Sequence, residues 1–263
     1  KSGLAYLLCM IKFLKWVRTL FWASAIFVTV GGLAFVIALN NQLINTPNLP
    51  YSHNISNEYS IDYKRSIEKS RYSAVQIHSM GPTFVVSSTT GTYFKASEKY
   101  YVITVEHGVH GPCALLRIEH DGKSYTCKEY IKLDKANDYA IIEIDGPIPN
   151  RKPINIPEDL PRGSQWRASY SILNKIIYTG YPNSVGPLTL KGDVAGYADS
   201  DYLYVFSYAY MGSSGSGVFS TKGKYIGLVT AIDLGRTEFG IDILENIVLV
   251  TPVFKVDWSV VLD

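Results

Sequence analysis

The chain is short of cysteine and of net charge, and both shortages exclude classes of function. Only 3 of its 263 residues are cysteine, and none has the spacing to another cysteine or a histidine that zinc sites require. Lysine and arginine total 25 against 23 aspartate and glutamate residues, which leaves a net charge of +2. Such a balance offers no basic surface to nucleic acid. We therefore expect no metal, no cofactor and no nucleic-acid partner.

The three cysteines, Cys9, Cys113 and Cys127, also lack the surroundings of a nucleophile, because none lies in a glycine-framed turn. Cys113 and Cys127 can pair if the domain folds in an oxidising compartment. Unpaired cysteines, however, are among the residues most often buried. Free buried thiols are therefore the interpretation that the sequence favours.

Charge is absent from one long apolar segment, Phe21 to Leu39. As a helix rising about 1.5 Å per residue it would extend about 28 Å, close to the thickness of a bilayer core. Lys12, Lys15 and Arg18 precede it, and no lysine or arginine follows before Lys64. The positive-inside rule predicts a single-pass anchor in residues 1–40, with a cytoplasmic N-terminus and the remaining chain on the opposite side. A buried globular helix and a cleaved signal peptide are the alternatives.

Long helical patterns are missing from the rest of the chain. Residues 41–70 are polar and predict a tether. Residues 71–255 contain short runs rich in Val, Ile, Tyr and Phe, separated by Gly, Pro, Asn or Asp. This spacing is typical of an all-β sandwich or of β-barrels. The segment 150–163 contains three prolines and divides the strand-rich region into two halves, and residues 256–263 are expected to form a C-terminal tail.

A glycine-framed serine, Ser214, lies between two of these strands. Gly212 and Gly215 permit a tight turn that exposes a hydroxyl and directs backbone amides outward. Such a serine can act as a nucleophile, with an oxyanion hole in the segment Gly212, Ser213 and Ser214, where the amides of Gly212 and Ser214 are the expected donors. Ser213 and Ser216 are the competing serines, but Ser216 lacks a glycine two residues before it.

Two further residues can serve a serine nucleophile. His107 ends an apolar strand and precedes a glycine, so its imidazole is a candidate general base. Asp138 opens another apolar strand, and its carboxylate can fix the tautomer of the imidazole and stabilise the imidazolium. The chain order histidine, aspartate, serine is one of three orders that unrelated serine hydrolase folds use.

The motifs around these residues resemble those of trypsin-like serine proteases of the chymotrypsin fold. Thr104 to His107 is similar to the T-x-x-H element, Asp138 to Ile142 to the D-[IL]-A-[LV]-[LV] strand, and Gly212 to Gly215 to the G-[DN]-S-G element. Gly180 to Pro182 also resembles a flanking element. The likeness covers residues 71–255, and it is strongest to the HtrA-like branch and to viral polyprotein proteases of the sobemovirus kind.

The resemblance implies two antiparallel six-stranded β-barrels preceded by one transmembrane helix. The first barrel would span about 71–149 and supply His107 and Asp138, and the second about 164–254 and supply Ser214. The site would lie in the cleft between them, as ligand sites often do. The implied activity is that of a membrane-anchored serine endopeptidase. Its substrate would be a polypeptide, and a chain that begins at Lys1 fits a protease that processes its own viral polyprotein.

The resemblance also implies which residues contact the substrate. Tyr208, six residues before Ser214, and the stretch Leu228, Val229, Thr230 and Ala231 would line the primary specificity pocket. None of them is acidic, so a basic P1 residue is not expected, and we predict a small or medium uncharged P1 residue. The strand at Val229 would pair with an extended substrate.

Two other interpretations stay open on the sequence alone. One is a catalytically inactive protease-like domain that acts as a membrane-tethered binding module, since a fold does not by itself give a function. The other is a cell-surface adhesion domain built as a β-sandwich, in which the histidine and the serine cluster are coincidental.

Overall fold

The computed structural model describes residues 55–81, 85–120, 122–157, 160, 165–198, 200–237 and 240–262. They belong to one compact unit that spans Pro50–Asp263. The anchor predicted at 21–39 lies outside these residues. No helix within the described part of the chain is long and apolar enough to cross a membrane.

The described residues form two α-helices and 13 strands, joined by short 3-10 turns. The helices are α1 (Ile61–Ser73) and α2 (Trp166–Ser169). The strands are β1 (Ala74–Met80), β2 (Val86–Ala96), β3 (Lys99–Thr104), β4 (Arg117–His120), β5 (Lys123–Asp134), β6 (Tyr139–Ile144), β7 (Ile154–Asn155), β8 (Lys175–Gly180), β9 (Leu188–Tyr197), β10 (Leu203–Phe206), β11 (Gly217–Ser220), β12 (Tyr225–Thr237) and β13 (Gly240–Pro252).

The strands close into two antiparallel six-stranded barrels, which confirms the predicted fold class. The first has the order β1-β4-β5-β6-β3-β2 and closes through the pairing of β1 with β2. The second has the order β10-β13-β12-β11-β8-β9. The two-residue strand β7 lies between the barrels in sequence and adds in parallel to β2. The chain is therefore not a β-sandwich.

Alternating apolar residues on β3 and β6 serve two cores at once, because successive side chains of a strand point to opposite faces. Val102 and Ile142 pack inside the first barrel. Ile103 and Ile141 pack on the opposite face, in a cluster that also contains Phe219 of the second barrel. The near-continuous apolar runs of these strands thus follow from burial on both faces, and the shared cluster holds the barrels together.

Residues 61–70 differ from the expected tether, since they form most of helix α1. Its buried face contains mainly serines: Ser66 Oγ donates to the carbonyl of Ser220 (2.5 Å), and Ser70 Oγ donates to Thr179 Oγ1 (2.9 Å). Because these side chains are polar, the hydropathy pattern gives no sign that the helix packs on the second barrel. The helix is held there mainly by hydrogen bonds.

The preference for free cysteines was wrong for one pair. Cys113 and Cys127 form a disulfide, with their Cα atoms 5.3 Å apart. The segment 256–263, expected to form a C-terminal tail, packs on the barrels, because Trp258 and Val261 are buried in the cluster between them.

Candidate active site

His107 and Asp138 meet because they follow and precede neighbouring strands. β3 and β6 are antiparallel, with Thr104 opposite Ala140. His107 lies in the 3-10 turn just after β3, and Asp138 directly precedes β6. The His107 ring Nδ1 lies 2.7 Å from Asp138 Oδ2, and the His107 amide donates to Asp138 Oδ1 at 2.9 Å. Asp138 has a φ of 50°, a left-handed conformation that aspartate tolerates better than most residues.

The contact between His107 and Asp138 shifts their pKa values in opposite directions. The hydrogen bond that His107 donates to Asp138 raises the pKa of His107 above 6.5 and outweighs the opposing effect of burial. Burial acts to raise the pKa of Asp138, but the hydrogen bonds from His107 prevail and the net pKa lies below 3.8. The His107 side chain is 52% exposed and that of Asp138 23%. Asp138 is thus a carboxylate that orients the ring through Nδ1 and leaves Nε2 to accept a proton.

Ser214 differs from its two competitors in being partly exposed. Ser213 and Ser216 are 1% and 0% exposed. Ser216 Oγ donates to the Ser213 carbonyl at 2.6 Å, and Ser213 Oγ accepts a hydrogen bond from the Tyr210 amide at 3.2 Å. Both competitors therefore brace the turn, whereas Ser214 lines the cavity that His107 also lines.

The amide of Gly212 is oriented by its neighbour in the loop. The carbonyl of Met211 accepts a hydrogen bond from the Asn183 amide at 2.7 Å. In a trans peptide the C=O and N–H point in opposite directions, so the Gly212 N–H points away from Asn183. Gly212 has a φ of 93°, which a residue with a side chain rarely adopts. Within the described part of the chain, this amide has no acceptor.

The same reasoning separates the amides of Ser213 and Ser214. The Ser213 carbonyl accepts from the Ser216 amide at 3.1 Å, so the Ser214 N–H points to the other side, and no described group accepts it. The Ser213 amide donates to the Tyr210 carbonyl at 2.9 Å, so it is not available to an oxyanion. Of the three residues predicted for the oxyanion hole, Gly212 and Ser214 present free amides and Ser213 supports the turn.

A cavity of about 240 Å³ adjoins these groups. None of the described residues that line it carries a carboxylate, an ammonium or a guanidinium group. They are His107, Ala209, Tyr210, Met211, Ser213, Ser214, Val229, Thr230 and Ala231.

Three of the five residues predicted to contact substrate line this cavity: Val229, Thr230 and Ala231. Leu228 does not, since it is 0% exposed in the cluster between the barrels. Tyr208 lines two other cavities, next to α1 and β9. Its neighbour Ala209 lines the cavity instead. Residue 208 lies beyond the end of β10 at Phe206, so the alternation of side chains along a strand does not predict its direction.

Sequence reasoning missed the threonines of β2 that hold the serine loop. Thr89 Oγ1 and the Thr90 amide both donate to the Ser214 carbonyl, at 2.5 and 2.9 Å. Thr90 Oγ1 donates to the Gly212 carbonyl at 2.7 Å. The available signal was a strand, residues 87–92, made only of serine, threonine and glycine, which has no apolar face to bury.

Other features bear on what the site can do. Within the described residues, no hydrogen bond joins the His107 ring to Ser214 Oγ, although both line one cavity; in unliganded sites such contacts are often long. The described residues also contain no group of three or more His, Cys, Asp or Glu that could hold a metal ion. Among the described residues, the arrangement thus brings together a candidate nucleophile, a candidate base with a hydrogen-bonded carboxylate, and two free amides.

Comparison with known proteins agrees with the two-barrel fold. The family model of the trypsin-like peptidase domain matches residues 82–228. Among curated proteins, none matches the chain. Among solved structures, the chain is similar to the serine endoprotease from Yersinia pestis, with 18% identity and a TM-score of 0.56. That similarity covers 78% of this chain and 64% of the other. At this identity, it indicates a shared fold.

Proposed function

Because the chain belongs to the family of trypsin-like peptidase domains, we propose that it is a serine endopeptidase. Ser214 is the nucleophile, His107 the general base, and Asp138 the residue that orients His107. One observation carries the proposal: His107, which is hydrogen-bonded to Asp138, lines the same cavity as Ser214. The free amides of Gly212 and Ser214 supply the oxyanion hole.

The reaction proceeds in two steps, acylation and then deacylation of Ser214. Ser214 Oγ attacks the substrate carbonyl carbon while His107 Nε2 takes the hydroxyl proton, and the amides of Gly212 and Ser214 stabilise the resulting oxyanion. The imidazolium then gives the proton to the leaving amine, which leaves an acyl group on Ser214. A water molecule repeats the attack, passes a proton to His107, and the imidazolium returns it to Ser214 as the acid departs.

The substrate is an extended polypeptide with a small or medium uncharged P1 residue. The described residues that line the cavity of about 240 Å³ carry no charged group, which disfavours lysine, arginine, aspartate and glutamate at P1. Pairing of β12 with β11 ends at Leu228. The Val229 backbone is bound to the loop that contains Ser214, because its N–H donates to the Ser216 carbonyl and its carbonyl accepts from the Gly215 amide. A substrate strand would therefore pair with the edge of β12 beyond Val229. A cleavage profile on a peptide library tests this: preference for alanine, serine, threonine or valine at P1 supports it, and dominance of arginine or lysine contradicts it.

The proposal extends to a membrane anchor at residues 21–39 and to a viral polyprotein as the substrate. The uncharged apolar run and the preceding lysines support the anchor. Alkaline extraction of membranes that carry the full chain tests it. Retention in the pellet, lost when residues 21–39 are deleted, is the expected result, and release of the intact chain contradicts an anchor.

Covalent labelling with a fluorophosphonate probe tests the enzymatic proposal on the full chain. We expect labelling at Ser214 that Ser214→Ala and His107→Ala both abolish, because phosphonylation requires the activated hydroxyl and an oxyanion hole. A folded wild-type chain that takes no label would instead favour a catalytically inactive binding module.

A further inference from the structure

Arg151, in the segment between the barrels, is a buried cation that the reaction described above does not use. It is 7% exposed. Its Nε donates to His120 Nδ1 at 2.9 Å, its Nη1 donates to the Arg71 carbonyl, and its Nη2 donates to the Tyr181 hydroxyl at 2.8 Å. A buried charge is costly unless its hydrogen bonds are made, and the planar guanidinium fixes their directions. The guanidinium of Arg151 thus connects the first barrel, helix α1 and the turn after β8 through its hydrogen bonds.

The turn after β8, residues 181–184, holds the loop that contains Gly212 and Ser214, which we call the oxyanion loop. The Tyr181 amide donates to Thr90 Oγ1 at 2.9 Å, and that hydroxyl donates to the Gly212 carbonyl. The Asn183 amide donates to the Met211 carbonyl at 2.7 Å. The two carbonyls that flank Gly212 are therefore both fixed, directly or through Thr90, by this turn.

The turn cannot hold this shape by its own preference. Asn183 and Ser184 have φ values of 49° and 59°, and two successive left-handed residues with side chains are retained only where the surroundings impose them. The Tyr181 side chain is buried, with 7% of its surface exposed, and Pro182 next to it is buried as well. The Tyr181 hydroxyl accepts from Arg151, so this contact is one of those that keep the turn in place.

Resting on the proposed function, we propose that Arg151 and Tyr181 are positioning residues that preorganise the oxyanion hole. If the turn moves, the Met211 carbonyl loses its donor, and the peptide between Met211 and Gly212 is free to rotate its N–H out of the hole. A preorganised donor contributes to the chemical step more than to binding. The expected defect is therefore a slower reaction of bound reagent, with affinity retained.

The rate of fluorophosphonate labelling of the full chain separates these two quantities, because its dependence on probe concentration gives kinact and KI. We expect Tyr181→Phe, which removes only the hydroxyl, to lower kinact about tenfold while KI stays within about twofold, a fraction of the loss caused by removing an oxyanion donor outright. Arg151→Met keeps most of the side-chain volume and should lower kinact at least as far.

Tyr93→Phe is the matched control for a merely structural role. Tyr93 is 1% exposed, and its hydroxyl accepts from the Ile148 amide, in the segment between β6 and β8 that also contains Arg151. Among the described residues, no hydrogen bond joins Tyr93 to the turn after β8. Thermal unfolding of each variant reports the loss of stability. We expect the two hydroxyl deletions to lower the Tm by similar amounts, with kinact within twofold of wild type for Tyr93→Phe alone.

The outcomes separate the inference from the proposed function. A wild-type chain that takes no label overturns both. A labelled wild type with unchanged kinact in folded Tyr181→Phe overturns the positioning role and leaves the peptidase proposal intact. If Arg151→Met does not fold, Tyr181→Phe alone decides, and equal losses of kinact in Tyr181→Phe and Tyr93→Phe also overturn the inference.

Discussion

The imidazole of His107 must be neutral to accept the Ser214 proton, so its pKa sets the acid limit of activity. The hydrogen bond to Asp138 raises this pKa above 6.5. We therefore predict that the labelling rate rises with pH through a midpoint above 6.5. The stabilisation from the charged pair has the opposite pH dependence. At pH values where Asp138 is ionised, it is fully present below 6.5 and is lost as pH rises through the folded-state pKa of His107. A midpoint at or below 6.5 would contradict the geometry.

Asp138→Asn checks the cause of that shift. Without the carboxylate the imidazolium is less stabilised, so the midpoint should fall, and the rate should drop by about four orders of magnitude, as for related triads. The pH profile of the residual labelling rate measures both effects. Asp145→Asn is the control, since Asp145 is exposed and bonds to Thr126 Oγ1; it should leave rate and midpoint unchanged. An unshifted midpoint in Asp138→Asn would remove this carboxylate from its role.

Alanine substitutions of Gly212 and Gly146 distinguish the effect of backbone strain from the effect of steric crowding at the oxyanion hole. Both glycines have a positive φ, 93° and 100°, so alanine costs about 1 kcal/mol at either site. A Cβ on Gly212 would lie 2.6 Å from the Tyr181 carbonyl oxygen, whereas one on Gly146 meets nothing within 4 Å. We predict that Gly212→Ala lowers the labelling rate by about 10²–10³ and that Gly146→Ala leaves it near wild type. Equal rates in both variants would show that crowding is unimportant.

At the scale of elements, helix α1 shows why its packing escaped a hydropathy pattern. Ser66, Ser70 and Ser73 share its buried face with a single apolar residue, Ile67. A face of serines has the composition of a tether, and only the partners across the interface distinguish the two. The strands β3 and β6 were predictable because their cores are made of valine and isoleucine.

The serine face of α1 should contribute measurably to stability. Ser66→Ala and Ser70→Ala each remove a hydrogen bond to the second barrel, and we predict a loss of about 1 kcal/mol per substitution in the free energy of unfolding. Glu68→Ala lies on the exposed side of the helix and should stay within about 0.5 kcal/mol of wild type. Urea unfolding of the full chain measures all three. Equal stabilities would mean that the helix does not depend on these bonds.

At the scale of the whole molecule, the sequence predicted the residues of local motifs and missed the hydrogen bonds that join the two barrels. His107, Asp138 and Ser214 each lie in a short local motif, and the three motifs together, in this chain order, indicate a candidate triad. The supporting contacts of Thr90 and Tyr181 join residues about 90 or more positions apart, and no periodicity indicates such pairs. Tyr208 was misplaced for a related reason, because a fixed offset from Ser214 does not describe the path of the intervening loop.

Thr90 offers the most direct test that the site exists only when the barrels are joined. Its hydroxyl accepts from the Tyr181 amide and donates to the Gly212 carbonyl, so one oxygen links β2 of the first barrel to two loops of the second. Valine has nearly the same shape but neither function. We predict that Thr90→Val lowers the labelling rate about tenfold or more and leaves two polar groups unpaired, at about 1–3 kcal/mol each.

Thr92→Val supplies the comparison on the same strand. Thr92 is also 0% exposed, but its hydroxyl reaches the Gly215 carbonyl only at 3.4 Å, a weak contact. Its labelling rate should stay within about threefold of wild type. Far-UV circular dichroism confirms that both variants fold. If Thr90→Val labels as fast as Thr92→Val, the second barrel forms the oxyanion loop without help from the first, and assembly of the site does not depend on this junction.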